Sequence, residues 1–120
     1  MDLRELSVLL VEDEFLIALD AEQILKDLGA AKVEVASTYE EAEPHARDGR
    51  FDLAVLDVNL NGRLSFPIAQ AIKERGIPVI LASGYELRER ELAGLHGILC
   101  IAKPYSPARL QDAVRAALQK

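Results

Sequence analysis

Short apolar runs alternate with segments of helical periodicity along the whole chain. The first run, Leu6–Val11, is largely apolar, which is typical of a strand buried on both faces of a sheet. In the next segment, Phe15–Leu28, apolar residues recur at helical spacing, and Gly29 stands where a helix C-cap belongs. Four more apolar runs predict further strands, at Lys32–Ala36, Asp52–Asp57, Pro78–Ala82 and Ile98–Ala102.

The segments between these strands carry helix and turn signals. Ser37 or Thr38 can cap a helix that ends at about Asp48. Pro44 lies inside this helix, and we expect it to kink the helix or to shorten its first part. The segment Val58–Leu64 is predicted as a loop with Asn61-Gly62 as its turn signal. Ser65 is predicted to cap a helix that has Pro67 in its first turn and ends near Gly76. The remaining predictions are a short polar helix at Leu87–Leu95 and a last helix that opens at Ser106-Pro107.

Strands that alternate with helices predict an α/β fold with a doubly wound five-stranded parallel sheet. The length of 120 residues suits a single domain that spans residues 1–120. Ligands of such sheets bind outside the carboxyl ends of the strands. The residues that follow each strand are therefore the first candidates for a functional site.

Composition excludes several classes of function. The net charge is −6, from 14 basic and 20 acidic residues, so we expect no nucleic-acid partner, since phosphate binding needs clustered Lys and Arg. The apolar runs are far too short to span a membrane, and the N-terminus lacks the order of a secretion signal. Cys100 is the only cysteine, which fits a cytoplasmic location.

Polar side chains follow four of the five predicted strands. Glu12 and Asp13 follow the first strand, Asp57 ends the third, Ser83 follows the fourth and Lys103 follows the fifth. These residues should share one edge of the sheet, where three close carboxylates repel one another unless a cation lies among them. Mg²⁺ suits such a site because it takes carboxylate and carbonyl oxygens and keeps room for phosphate.

The same edge could carry phosphate chemistry. Asp57 could act as a nucleophile that forms an acyl phosphate, while Lys103 and Ser83 bind other phosphoryl oxygens. Taken singly, each residue also has a purely structural explanation: Asp13 as a helix cap, Asp57 as a turn former, Ser83 as part of a turn and Lys103 as a solvated loop residue. Their placement after successive strands favours the shared site.

Four motifs together resemble the receiver domain of two-component response regulators. They are "VLLVEDE", "LAVLDVNLNG", "VILASGY" and "IAKPY", and the resemblance covers essentially the whole chain. It implies a flavodoxin-like (βα)5 fold with strand order 2-1-3-4-5. It also implies that a histidine kinase or a histidine phosphotransfer protein supplies a phosphoryl group.

The resemblance assigns roles by position. Asp57 looks like the phospho-acceptor and also like a Mg²⁺ ligand. Asp13 looks like a direct ligand, Glu12 like a ligand through water, and Asn59 like a ligand through its backbone carbonyl. In the same way, the resemblance assigns contact with the phosphoryl group to Ser83 and Lys103. It also implies that the peptide bond between Lys103 and Pro104 is cis.

The switch residues depart from the usual family pattern. Receivers typically carry Tyr or Phe three residues before the lysine, but this chain has Cys100 there, which we expect to be buried strand filler rather than a redox sensor. The motifs "SGY" and "KPY" resemble the stand-alone FATGUY-type receivers, which lack that aromatic residue. Tyr85 is therefore a candidate reporter of phosphorylation, with a half-buried loop aromatic as the alternative.

The resulting hypothesis is a phosphorylation-dependent switch of protein–protein interactions, either as a stand-alone regulator or as a phosphate sink. Its chemistry would be autocatalytic, and a downstream protein would bind the surface formed by the helix at 87–95, the strand at 98–102 and the last helix (the α4-β5-α5 face of the family). The alternative is a small aspartyl-phosphate phosphatase, which Asn59 disfavours because an amide cannot serve as the general acid there. A nucleotide or flavin module fits less well, because its first turn should be glycine-rich.

Overall fold

The computed structural model describes residues 5–84, 95 and 98–119. Tyr85 and nearly all of the predicted helix at Leu87–Leu95 lie outside the described residues. The elements, in chain order, are β1 (Ser7–Val11), α1 (Phe15–Asp27), β2 (Lys32–Ala36), α2 (Tyr39–Asp48), β3 (Leu53–Asp57), β4 (Asn59–Leu60), β5 (Arg63–Leu64), α3 (Phe66–Glu74), β6 (Val79–Ser83), β7 (Leu99–Ala102) and α4 (Pro107–Leu118). Within these ranges, no helix has both the length and the apolar content that a membrane crossing requires.

Five strands form one parallel sheet in the order β2-β1-β3-β6-β7. This order confirms the predicted 2-1-3-4-5 arrangement, because β4 and β5 form a separate antiparallel pair. Val11 at the end of β1 lies beside Ala36 and Leu56, and Asp57 at the end of β3 lies beside Ala82. The register therefore aligns the carboxyl ends of the strands at one edge.

An apolar layer covers each face of the sheet. Leu9 and Val11 pack with the layer that α2 and α3 complete, while Val8 and Leu10 pack with the layer of α1 and α4. Successive residues of a strand point to opposite faces, and every residue of β3 is buried. The sheet is thus a rigid support for whatever projects from its edge.

Helix α2 is fixed at both ends. Thr38 is its N-cap, with Oγ1 accepting a hydrogen bond from Glu41 N (3.0 Å), and Glu41 Oε1 accepts one from Ser37 N (2.7 Å). At the other end, the Arg75 guanidinium donates to the carbonyl oxygens of His45, Ala46 and Gly49. The predicted shortening at Pro44 is wrong, because the helix runs unbroken through that residue.

The segment predicted as a loop, Val58–Leu64, contains a short β-hairpin. Asn59 pairs with Leu64 and Leu60 pairs with Arg63. Asn61 and Gly62 form the turn with φ angles of 53° and 91°, as a type I′ hairpin turn requires. The turn prediction was correct, but the two strands were missed because each has only two residues. We call residues 59–64 the site hairpin.

Candidate phosphoryl and cation site

Three acidic side chains converge at the carboxyl edge of the sheet. One carboxylate oxygen each from Glu12, Asp13 and Asp57 lies within 4.8 Å of the other two. Glu12 and Asp57 are only 3% and 7% exposed, whereas Asp13 is partly open to solvent. The main chain sets this geometry: Glu12 N donates to Ala36 O (3.1 Å), which extends the β1–β2 ladder into the acidic segment.

Lys103 points into this cluster. Its Nζ lies 3.0 Å from Glu12 Oε1 and 3.0 Å from Asp57 Oδ2. The main chain holds it there, because Lys103 N donates to Ser83 O (2.8 Å). The peptide bond between Lys103 and Pro104 is cis, as the resemblance led us to expect. The ammonium group thus offsets part of the negative charge of two buried carboxylates.

The charges at the site are not fully balanced. Burial raises the pKa of Glu12 to about 7, even though hydrogen bonds from Lys103 and from Glu14 N favour the charged form. Burial opposes the charge on Lys103, but its hydrogen bonds to Glu12 and Asp57 raise its pKa overall. The Lys103 ammonium alone therefore does not offset the cost of burying the Glu12 carboxylate. A second cation at this site could bind the carboxylate oxygens of the cluster.

The backbone of the site hairpin also contacts the acidic cluster. Asn61 N donates to Asp13 Oδ2 (3.1 Å), and Asn59 N donates to Asp57 Oδ1 (3.3 Å). Gly62 N closes the turn by donating to Asn59 Oδ1 (2.6 Å). Sequence reasoning assigned a role to the Asn59 carbonyl but missed the contact from Asn61. The Asn-Gly turn was the available signal, but its position over Asp13 depends on tertiary packing.

The donors fit a hard divalent cation. They are carboxylate oxygens, and a partly exposed acid, Asp13, faces an open cavity of about 1050 Å³. Mg²⁺ prefers such oxygen ligands and keeps several waters, which an open site accommodates. Ser83, the last residue of β6 and 4% exposed, lines the same cavity with Asp57 and Lys103. The cavity therefore places the Ser83 hydroxyl and the Lys103 ammonium around one space with the carboxylates of Asp13 and Asp57, and the buried Glu12 carboxylate lies close behind them.

Ser65 is a site residue that sequence reasoning misassigned. It takes the N-cap position of α3, but its hydroxyl makes no capping hydrogen bond. Instead Ser65 Oγ donates to Asp57 O (2.7 Å) and Ser65 N donates to Val58 O (2.8 Å). The residue is fully buried, so it ties the start of α3 to the backbone of the acidic strand end.

Ser65→Ala should reveal this link. We expect a loss of about 1–3 kcal/mol in the free energy of unfolding, because the buried Asp57 carbonyl loses its partner. Urea denaturation monitored by circular dichroism measures it. Ser106→Ala is the matched control, since it removes an exposed cap of α4 (Arg109 N to Ser106 Oγ, 3.1 Å) and should cost about 1 kcal/mol. A Ser65→Ala protein as stable as wild type would contradict the assignment.

The two switch candidates have different outcomes. Cys100 is exposed, so the expectation of buried strand filler is wrong. Leu99 and Ile101 pack into the layer of α1 and α4, and Cys100 therefore points to the opposite face of β7, the outermost strand of the sheet. Tyr85 lies outside the described residues, and its reporting role stays a prediction.

Comparison with known families identifies the family to which this fold belongs. The sequence model of the response regulator receiver domain family matches residues 8–115 of this chain. The chain belongs to the response regulator receiver domain family. This receiver domain is therefore a component of two-component signalling, and its acidic edge lies where the resemblance in the sequence placed it.

Three relatives illustrate the similarity of the receiver domain. The phyllosphere-induced regulator PhyR of Methylorubrum extorquens is 34% identical over 116 residues, which are 92% of this chain and 43% of PhyR. The transcriptional regulatory protein YvrH of Bacillus subtilis is 29% identical over 117 residues, 95% of this chain and 49% of YvrH. This chain thus spans about half the length of those relatives. The solution structure of SdrG from Sphingomonas melonis Fr1 has 33% identity and a TM-score of 0.79, covering 95% of this chain and 97% of SdrG.

Proposed function

We propose that this receiver domain accepts a phosphoryl group on Asp57 from a phosphohistidine of a histidine kinase or of a histidine phosphotransfer protein. The observation that carries the proposal is the convergence of Asp57 with Lys103 and two further acids at an open cavity. A nucleophile, a cation and space for a phosphoryl group are the minimum that this transfer requires.

The transfer balances as a simple displacement. An Oδ atom of Asp57 attacks the phosphorus of the donor phosphohistidine and forms an O–P bond. The P–N bond breaks, its electron pair leaves with the imidazole, and the ring takes up a proton from solvent. Water later attacks the acyl phosphate, the O–P bond breaks, inorganic phosphate leaves, and the restored carboxylate returns the domain to its resting state.

The residues around Asp57 have separate tasks in this proposal. Lys103 Nζ, which bonds Asp57 in the resting state, would turn to a phosphoryl oxygen. Ser83 would donate its hydroxyl to a second phosphoryl oxygen. Glu12 through water, Asp13 directly and the Asn59 carbonyl would hold Mg²⁺ beside Asp57. The bound ion would offset the negative charge of the acceptor and of the incoming phosphoryl group.

A relative in an activated state supports this chemistry. A structure of SdrG from Pseudomonas melonis Fr1 in its BeF3-activated conformation is 33% identical, with a TM-score of 0.77 and 98% coverage of both chains. By analogy, we propose that phosphorylation of Asp57 changes the affinity of this domain for another protein. The new dianionic group would draw in the chain after β6 and β7 and so alter the surface around β7 and α4.

We propose that the domain does not hydrolyse free phosphate esters. We also propose that it acts in the cytoplasm, together with the kinase. Asn59 holds the position two residues after Asp57, and its side-chain oxygen is engaged by Gly62 N (2.6 Å). An amide in this position cannot protonate a leaving group as the second acid of an aspartyl-phosphate phosphatase does. The domain would therefore be a switch whose chemistry acts on itself.

Incubation with acetyl phosphate tests the proposal. Intact mass spectrometry should show one phosphate-sized gain with Mg²⁺ and essentially none in EDTA, because the uncompensated acids repel the donor without a divalent ion. The same sample should release no p-nitrophenol from p-nitrophenyl phosphate above a buffer blank. Equal gains with and without Mg²⁺ would contradict the cation requirement, and steady release of p-nitrophenol would favour the phosphatase.

A further inference from the structure

The site hairpin holds two of the three carboxylates at the acidic edge. Asn61 N bonds Asp13 Oδ2 and Asn59 N bonds Asp57 Oδ1, whereas Glu12 receives its backbone hydrogen bond from Glu14 N. Each N–H donor fixes one carboxylate oxygen and so sets the direction of the other, which in Asp57 bonds Lys103 Nζ. The position of the hairpin therefore decides how Asp13 and Asp57 face the cavity.

The hairpin cannot hold this position alone. It has two residue pairs, and an isolated two-stranded hairpin is at best marginally stable in water. Leu60 anchors one side of it, since this residue is buried in the apolar layer beneath α2 and α3. On the other side, Ser65 holds the end of the hairpin through its bonds to Asp57 O and Val58 O, but Leu64 is exposed and leaves the part near the turn without a buried anchor. That part needs another fastening.

Arg63 supplies that fastening through α2. Its guanidinium carbon lies 3.6 Å from the centre of the Tyr39 ring, and its Nη1 pairs with a carboxylate oxygen of Glu40. Tyr39 is buried at the capped N-terminus of α2, so the ring is a rigid platform. An exposed ion pair by itself contributes little, but a planar guanidinium stacked on a fixed ring and paired with an acid is held in one orientation.

We infer that Arg63 is a positioning residue for the cation site: it fastens the site hairpin to α2 and thereby fixes the Asn61 N–H that orients Asp13. The inference rests on the proposed function, because it concerns the ion that this function needs. Arg63 does not touch the ion or the phosphoryl group, and it acts through the hairpin backbone. Loss of Arg63 should remove none of the Mg²⁺ ligands, but it should let the Asp13 carboxylate turn away from the cation site.

Magnesium binding to three variants tests the inference. Isothermal titration calorimetry should give a dissociation constant for Mg²⁺ that is about three- to tenfold higher in Arg63→Ala than in wild type. Arg63→Lys keeps the charge beside Glu40 but loses the planar stack, and should fall between the two. Arg47→Ala is the matched control, because this exposed arginine of α2 pairs with the neighbouring Asp48 (3.5 Å) and should bind Mg²⁺ like wild type.

A readout without metal separates positioning from general loss of stability. In EDTA, amide hydrogen exchange followed by NMR should be faster at Asn61 in Arg63→Ala, while the amides of β1 and β3 exchange as in wild type. Magnesium affinity in Arg63→Ala within experimental error of wild type would overturn the inference and leave the proposed function standing. Equal weakening in Arg47→Ala, or faster exchange throughout the sheet, would also overturn it. A wild-type protein that binds no Mg²⁺ would overturn the proposed function, and the inference with it.

Discussion

Asp57→Asn should abolish the phosphate-sized mass gain that acetyl phosphate and Mg²⁺ produce in the wild-type receiver domain. The amide has nearly the shape of the carboxylate, and its single side-chain oxygen can still accept from one of the two donors that bond Asp57, Asn59 N or Lys103 Nζ. It lacks the anionic oxygen that must attack phosphorus, so the transfer has no acceptor. Intact mass spectrometry on the two proteins, treated side by side, measures the difference.

Asp52→Asn is the matched control for this experiment. Asp52 precedes the same strand at its opposite end, where Oδ2 accepts a hydrogen bond from Ser7 N (2.9 Å) far from the acidic edge. Its variant should gain phosphate like wild type. A comparable gain in Asp57→Asn would show that another residue accepts the phosphoryl group, and the proposed function would then be wrong in its central residue.

Lys103→Ala should weaken both the fold and the transfer. Lys103 bonds two buried carboxylates at 3.0 Å each, and its removal leaves Glu12 and Asp57 to repel each other. Its side chain is still 13% exposed, so water relieves part of the cost, and we expect a loss of about 2 kcal/mol in the free energy of unfolding in EDTA. Phosphorylation by acetyl phosphate should slow by about 100-fold, since one charged donor to the phosphoryl oxygens is lost.

Two further variants make the Lys103 result interpretable. Lys103→Met keeps the aliphatic stem and loses the charge, and should show the same slow transfer if the ammonium is what matters. Lys26→Ala removes an exposed lysine that pairs with Glu22 at 2.9 Å, and should change the free energy of unfolding by less than about 1 kcal/mol. Transfer at the wild-type rate in both Lys103 variants would remove Lys103 from the proposed site.

The sheet could be predicted because its signals are local. Each strand is marked by its own apolar run and each crossover by its own helix pattern, and right-handed crossovers allow few arrangements. Bounds such as Lys32–Ala36 and the cap at Ser106 agree with the structure. The site hairpin was missed because its two short strands carry no comparable pattern. They are held by the burial of Leu60 and by the stacking of Arg63 on Tyr39.

The sequence by itself determined which kinds of side chain follow each strand, and hence the acidic edge, the lysine and the candidate acceptor. It could do so because strand periodicity and strand ends are properties of neighbouring residues. Only the tertiary structure decided that Lys103 bonds both Glu12 and Asp57, that the Ser65 hydroxyl serves Asp57 rather than α3, and that Cys100 is exposed. These outcomes depend on how helices and strands that are far apart in the chain pack together. A local sequence pattern cannot predict that packing.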